Sequence, residues 1–363
     1  MYLLALKARN DTLPGGEGGA TFPQPPDPEN GATRFGTAAM AGVEPETGAV
    51  RFLVGGPGFD RYEFNLALAN DRQVGSTFKT FVLAQALIEG HSPSDTVRGD
   101  CSDIPGDWGP GQPTNFGGRS SGSTTTLTAQ TQKSSNCAFL RLGQIVGLDD
   151  VADLAHRLGV SGSLCQDDLD QADGEVCASM PLGVDGISPL EMASAYSVFA
   201  NDGMRNEPYY IDRVEDVDGD VVFAHRPEAT RVVPTNVARL VTEVLEKNVE
   251  AGTGTAARLG DQPAAGKTGT SNGPTDVWFV GYTPQLSVSV WMGVPADSEQ
   301  RLSGVGSTAT GGRYPARTWG QLMSEILAGE PVEAVTEPEP VRGGQDLCLE
   351  TERTRCGRRR SGR

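Results

Sequence analysis

Strand-like runs lie near both ends of this chain with helical sequence between them, and that placement constrains the fold more than any single residue does. Residues 37–43 and 50–55 form one such pair, joined by Glu44-Pro45-Glu46-Thr47-Gly48, which has hairpin turn chemistry. Residues 276–282 and 286–294 form the other, joined by Thr283-Pro284-Gln285, with Val288, Val290 and Met292 in alternation. Between them, Ser188-Pro189-Leu190-Glu191 is a capping box with proline at the first helical position, opening a helix to about Asn201. Residues 150–158 and 237–249 repeat apolar side chains every three or four positions, and Pro315 starts a terminal helix through Ile326. The expected architecture is mixed α+β. Its antiparallel sheet comes from the N- and C-terminal parts of the chain, is flanked by helices, and carries an inserted helical subdomain.

Residues 11–31 are rich in proline, glycine and acids, so residues 1–31 read as a flexible extension and the domain as 32–328. Residues 330–340 are acidic and contain proline, and residues 353–363 are arginine-rich, so 329–363 reads as a disordered, solvated tail. At 363 residues the chain is long enough for one large domain or two smaller ones. A net charge of −17 argues against a nucleic-acid partner, which it would repel. No run approaches the roughly 20 apolar residues that a membrane helix needs. The opening residues 1–6 are apolar but stop at Lys7, short of a signal-peptide core.

The chemistry is concentrated in three motifs. Ser76-Thr77-Phe78-Lys79 begins an apolar helical run, and residues three apart share a helix face, so the Lys79 amine can reach the Ser76 hydroxyl. Serine is a weak nucleophile until a base takes its proton. Lys79 is that base only when neutral, which requires burial or a nearby positive charge such as Lys267. Alone, such a pair usually means a helix cap followed by a solvated lysine. Ser134-Ser135-Asn136 and Lys267-Thr268-Gly269-Thr270 follow it in order. That succession is the signature of penicillin-binding proteins and serine β-lactamases.

The flanking segments resemble the transpeptidase domain of class A, bifunctional penicillin-binding proteins. They include Gln73-Val74-Gly75, Asn115-Phe116-Gly117-Gly118, Cys137-Ala138-Phe139, Pro189-Leu190-Glu191-Met192-Ala193, residues 276–284, Gly311-Gly312, Tyr314-Pro315-Ala316 and Thr318-Trp319. Together the matches span about residues 33–327. The resemblance implies a D,D-transpeptidase that moves a D-alanyl stem peptide of peptidoglycan through a serine acyl-enzyme to an amine acceptor, and that binds β-lactams covalently. Ser76 would be the nucleophile and Lys79 the base, with Ser134 relaying a proton to the leaving nitrogen. Asn136 would hold the substrate or orient Lys79, its side chain parallel to that of Ser134 if the backbone is extended. Lys267 and Thr268, on an edge strand, would face the substrate carboxylate, Gly269 would allow close backbone approach, and the Thr270 hydroxyl would help bind that carboxylate. The oxyanion hole would be the N–H groups of Ser76 and Thr270.

Class A enzymes carry a membrane helix and a glycosyltransferase domain ahead of this one, and neither is recognised in this sequence. The expected setting is extracytoplasmic, in the cell envelope. Loop disulfides would fit it, with Cys165–Cys177 and Cys348–Cys356 as the close pairs, while Cys101 and Cys137 read as free buried thiols. No phosphate loop, HExxH or dinucleotide fingerprint occurs, so no metal or cofactor is expected. His91, His156 and His225 lie outside every motif, which removes a Ser-His-Asp hydrolase from consideration. Three alternatives remain. A serine β-lactamase needs a second carboxylate base, and Glu191 is already explained as a cap. A D,D-carboxypeptidase differs only in its acceptor. A non-catalytic penicillin-sensing or peptidoglycan-binding module could keep the cleft and tolerate a lost relay.

Overall fold

A computed structural model describes residues 1–13, 21–24, 35–106, 108, 112–165, 177–271, 273–295, 302 and 309–352. Its centre is one antiparallel sheet built from both ends of the chain. Phe22–Pro23 (β1) and Val50–Val54 (β3) both pair with Phe35–Val43 (β2), beyond which lie Ser287–Gly293 (β12), Val277–Tyr282 (β11) and Ala265–Thr270 (β10). Among the described residues β10 is one edge of this sheet. The register places Gly269 opposite Trp278 and Lys267 opposite Val280. Smaller ladders join Thr96–Val97 (β4) with Thr125–Thr126 (β5), Met204–Arg205 (β6) with Thr230–Arg231 (β9), and Arg213–Glu215 (β7) with Val221–Ala224 (β8).

Successive strand side chains point to opposite faces, and each face of the sheet buries its own set. Met40, Phe279, Val288 and Val290 pack under two terminal helices, Tyr2–Thr12 (α1) and Tyr314–Ile326 (α8). Trp278, Val280, Tyr282 and Trp291 pack on the other side against the helical lobe. That lobe comprises Lys79–Ile88 (α2), Leu127–Lys133 (α3), Asn136–Val146 (α4), Leu148–Leu158 (α5), Pro189–Ala200 (α6) and Thr235–Ala251 (α7). α6 is the seam, because Ser287 and Ser289 of β12 donate their hydroxyls to the carbonyls of Ala193 and Pro189. Its capping box forms as the sequence specifies, with Ser188 and Glu191 bonding each other's backbone N–H.

Three expectations are corrected. The extension expected over 1–31 is helical from Tyr2 to Thr12, with Ala5 and Ala8 fully buried against the α8 layer. The tail expected to be disordered runs as a strap through residue 352. Side-chain amides hold its backbone, Gln262 to Glu333 and Asn236 to Glu339, and Asp346–Leu347 (β13) adds in parallel to β4. Residues 14–20, 25–34 and 353–363 lie outside the described residues. Cys101 and Cys137 are joined in a disulfide, 36 residues apart, because the loop carrying Cys101 folds back onto the start of α4. Cys165 pairs with Cys177 as expected. Cys348 is also disulfide-bonded, while Cys356 lies outside the described residues.

Candidate active site

Ser76 sits on the one-turn 3-10 segment Gly75–Thr77, which runs directly into α2 at Lys79, so the two share a helical surface. The turn is held from three sides. Gly75 donates its N–H to the Gly183 carbonyl, Trp278 Nε1 donates to the Gln73 carbonyl, and Tyr196 donates its hydroxyl to the Thr77 carbonyl at 2.7 Å. Gly75 has φ +55°, and a Cβ there would meet the Thr270 backbone at 2.9 Å. A Cβ on Gly269 would lie 2.3 Å from the Val74 carbonyl oxygen, so only glycine lets β10 press against the turn that carries Ser76.

Lys79 is fully buried, and its Nζ donates to the Ser134 carbonyl at 2.8 Å and to Asn136 Oδ1 at 2.7 Å. Burial, and after it the charge of Lys267, pushes its amine well below the ordinary lysine value. A neutral amine has two N–H bonds and one lone pair. In that form both N–H bonds go to uncharged oxygens, the Ser134 carbonyl and Asn136 Oδ1, and the lone pair is left over.

Lys267, also fully buried, donates to the Ser134 hydroxyl at 2.8 Å and to the Thr268 carbonyl at 3.0 Å. Burial brings its amine down to about 7. Ser134 thus stands between the two lysines, its carbonyl on one and its hydroxyl on the other. Its backbone is not extended as the sequence reading supposed. It is left-handed, φ 53°, at the end of α3, and the next residue caps α4. This tight corner, rather than strand alternation, turns Ser134 and Asn136 toward one centre.

Lys267 and Thr268 were expected to face one carboxylate together. They are consecutive on a strand and so point to opposite faces. Lys267 turns to the helical lobe, and the Thr268 hydroxyl meets that of Thr253 at 2.7 Å. Thr270 lies on the Thr268 side, its hydroxyl oxygen accepting the Gly311 N–H at 3.2 Å, which leaves its own O–H free to donate.

Sequence reasoning missed several supports. Asn248 donates to the Gly266 carbonyl at 2.7 Å and accepts the Thr253 N–H and hydroxyl, fixing the turn under β10. Gly252-Thr253-Gly254 was the available signal. Asn115 Oδ1 accepts the Ser135 hydroxyl and the Cys137 N–H, and Asn136 Nδ2 donates to the Thr114 carbonyl at 2.9 Å. The histidines are engaged elsewhere, His156 on the Val160 carbonyl and His225 stacked on Tyr209. Among the described residues no cluster of metal-ligating side chains occurs and no helix is long and apolar enough to cross a membrane.

A serine hydroxyl three residues before a buried amine whose pKa is pushed down, at the edge of a sheet, is equipped for acyl transfer through a serine ester. The comparisons agree in family. The profile of the penicillin binding protein transpeptidase domain matches residues 38–324, and the chain belongs to that family. Penicillin-binding protein 1A of Neisseria lactamica is 33% identical over 315 residues, covering 84% of this chain and 38% of that protein. Penicillin-binding protein 1A of Aquifex aeolicus is 30% identical over 302 residues, covering 81% of this chain and 39% of that protein. The chain thus spans about two fifths of the length of these relatives. The fold is similar to that of PonA1 from Mycobacterium tuberculosis in complex with penicillin V, with TM-score 0.79 and 27% identity, covering 96% of this chain and 89% of that one.

Proposed function

We propose that this chain is a serine D,D-transpeptidase that cross-links peptidoglycan stem peptides in the cell envelope, outside the cytoplasm, and that β-lactams acylate it as substrate mimics. The observation carrying this reading is Lys79, buried, driven toward its neutral form, and anchored through both N–H bonds three residues after Ser76. The relatives named penicillin-binding protein 1A and the similar structure holding penicillin V support it.

Ser76 Oγ attacks the carbonyl carbon of the penultimate D-alanine while its proton passes to Lys79 Nζ. The developing oxyanion is held by the N–H groups of Ser76 and Thr270. The C–N bond to the terminal D-alanine breaks, and the departing nitrogen takes up the proton that Lys79 received from Ser76, relayed by the Ser134 hydroxyl that Lys267 holds, so that Lys79 is neutral again. The hydroxyls of Thr268 and Thr270 bind the terminal carboxylate from one side of β10, and Lys267, which turns to the other side, adds positive charge when protonated without contacting it. The acceptor amine then attacks the ester and gives a proton to Lys79, which passes it to Ser76 Oγ as the ester C–O bond breaks. A D,D-carboxypeptidase would run the same steps with water as acceptor.

Hydrolysis by an activated water is disfavoured. Glu191 Oε2 accepts from the Ser188 N–H and hydroxyl, and Oε1 from the N–H and hydroxyl of Ser161, so this carboxylate is already committed.

The test is covalent labelling with a fluorescent penicillin followed by digestion. The label should sit on the peptide holding Ser76, Ser76→Ala should take none, and excess penicillin should give one stoichiometric burst. Label elsewhere overturns the nucleophile, and sustained turnover at about 1 s⁻¹ or faster makes β-lactamase the better reading.

A further inference from the structure

The strap beyond α8 ends in a carboxylate buried far from any motif. Glu352 is 2% exposed, and its Oε1 accepts from Arg98 Nη1 at 2.5 Å and from Arg141 Nε at 3.2 Å. Arg141 is fully buried on α4, the helix that begins at Asn136. Its remaining donors grip three carbonyls of one loop, Arg98 at 3.0 Å, Asp100 at 2.9 Å and Ser102 at 2.7 Å. Cys101, in the middle of that loop, is covalently tied to Cys137, the neighbour of Asn136. Asn115 closes the circuit by donating to the Gly99 carbonyl at 2.8 Å while accepting from Ser135 and Cys137.

We propose that Glu352 is a positioning residue for the Ser134–Asn136 corner, so that the C-terminal strap completes the active site from behind. This rests on the acyl-enzyme reading above. A guanidinium at full burial needs a counter-charge, and truncating one partner of such a pair leaves an uncompensated charge that water or rearrangement must meet. When Arg141 shifts, the three carbonyls of the 98–102 loop lose their shared donor. The Cys101–Cys137 bond passes that movement to the first turn of α4. Asn136 Oδ1 and the Ser134 carbonyl, the two anchors of Lys79, then leave the geometry that aims its lone pair. Glu352 touches no substrate and acts through Arg141 and Arg98, both of which bear on the 98–102 loop.

The test uses the full chain with Glu352→Gln, and Asn236→Ala as a control that frees the strap at Glu339 instead. Stopped-flow acylation by fluorescent penicillin separates the limiting rate from the binding constant. Glu352→Gln should lower the limiting rate about tenfold to a hundredfold, as expected of a small misplacement. It should leave binding within about twofold, and Asn236→Ala should change neither. Wild-type rates in Glu352→Gln overturn the proposal. So does an equal loss in Asn236→Ala, because a general effect of loosening the strap would then suffice. Should Glu352→Gln fail to fold, Arg141→Met with Glu352→Met removes the grip and leaves no buried charge. That pair must show the same loss, and wild-type acylation by it overturns the proposal. A wild-type protein that takes no label at Ser76 overturns the acyl-enzyme reading itself, whereas a labelled wild type with unimpaired variants overturns the positioning role alone.

Discussion

Asn136 offers the sharpest test of how the base is held. Its Oδ1 accepts one of two N–H bonds from Lys79 at 2.7 Å, the other going to the Ser134 carbonyl at 2.8 Å. In Asn136→Ala that N–H has no acceptor, and the amine turns until its lone pair no longer points at the serine. A buried donor left unsatisfied costs about 1–3 kcal/mol, which is about five- to 150-fold in the second-order acylation rate if the whole cost falls on the transition state. Asn136→Asp keeps the shape but places a negative charge against the amine, which favours the ammonium. The sign is then fixed. Wild-type Lys79 has a pKa lowered by burial and by Lys267, whereas the aspartate raises that pKa and postpones deprotonation to higher pH. The rising limb of the pH–acylation profile should move to alkaline values in Asn136→Asp, and raising the pH should restore part of the rate. Asn136→Ala should be slow at every pH. The assay is stopped-flow acylation by fluorescent penicillin between about pH 5 and pH 10, spanning the window in which a depressed lysine titrates. An alanine variant within about threefold of wild type, or an aspartate profile superimposed on it, refutes Asn136 as an anchor of the neutral base.

Lys267 is fully buried with its amine down at about 7, so the folded state binds fewer protons than the unfolded chain between that pH and the ordinary lysine value. The resulting penalty is largest below about pH 7 and fades as pH rises. Lys267→Met should therefore abolish carboxylate-dependent acylation yet raise stability at pH 7 by about 1–3 kcal/mol. Denaturant melts at pH 7 and pH 10 should show the gain shrinking at the higher pH, and a destabilised variant at pH 7 counts against the burial argument. Thr270→Val should slow acylation about tenfold to a hundredfold by removing a donor to the carboxylate; unchanged acylation would leave Thr270 only its contact with Gly311. Replacing Cys101 and Cys137 together by serine opens a 36-residue loop, for which chain entropy gives a loss of about 4 kcal/mol in denaturant melts. A loss below about 1 kcal/mol would mean that the hydrogen bonds of Asn115 and Arg141 hold the loop without the bond.

The parts legible in sequence are those whose cause is local. The capping box at Ser188 and the alternation in β12 each lie within a few residues, and both elements form where expected. The three motifs could be ordered but not oriented. Nothing in Ser134-Ser135-Asn136 shows that the first residue takes the left-handed conformation, because that corner is fixed by the helices ending and starting on either side of it. α1 escaped notice because the face it buries is Ala5, Ala8, Arg9 and Thr12, small or polar side chains that do not read in sequence as an apolar helical stripe. The strap escaped because side-chain amides and one buried carboxylate hold it, and such anchors look in sequence like solvated polar residues. The pairing of Cys101 with Cys137 depends on a loop closure that spacing does not encode.

The acceptors around the two lysines explain why stability and reactivity oppose each other here. The oxygens that meet Lys79 and Lys267 belong to Ser134, Asn136 and Thr268, and all of them are uncharged. A carboxylate in their place would stabilise both ammonium groups and leave Ser76 without a base. In a chain of net charge −17, keeping acids from that centre is a specific requirement of the site. Glu191 is spent at a helix cap, and Glu352 is spent on Arg98 and Arg141 behind the corner. The negative charge of Glu352 therefore acts at one remove, through a guanidinium that grips backbone, and reaches Lys79 only as geometry. Since neutral acceptors hold a buried amine less strongly than an ion pair would, the corner must be rigid for other reasons. The disulfide, the fork of Asn115 and the strap supply that rigidity at the points where a carboxylate could not be allowed.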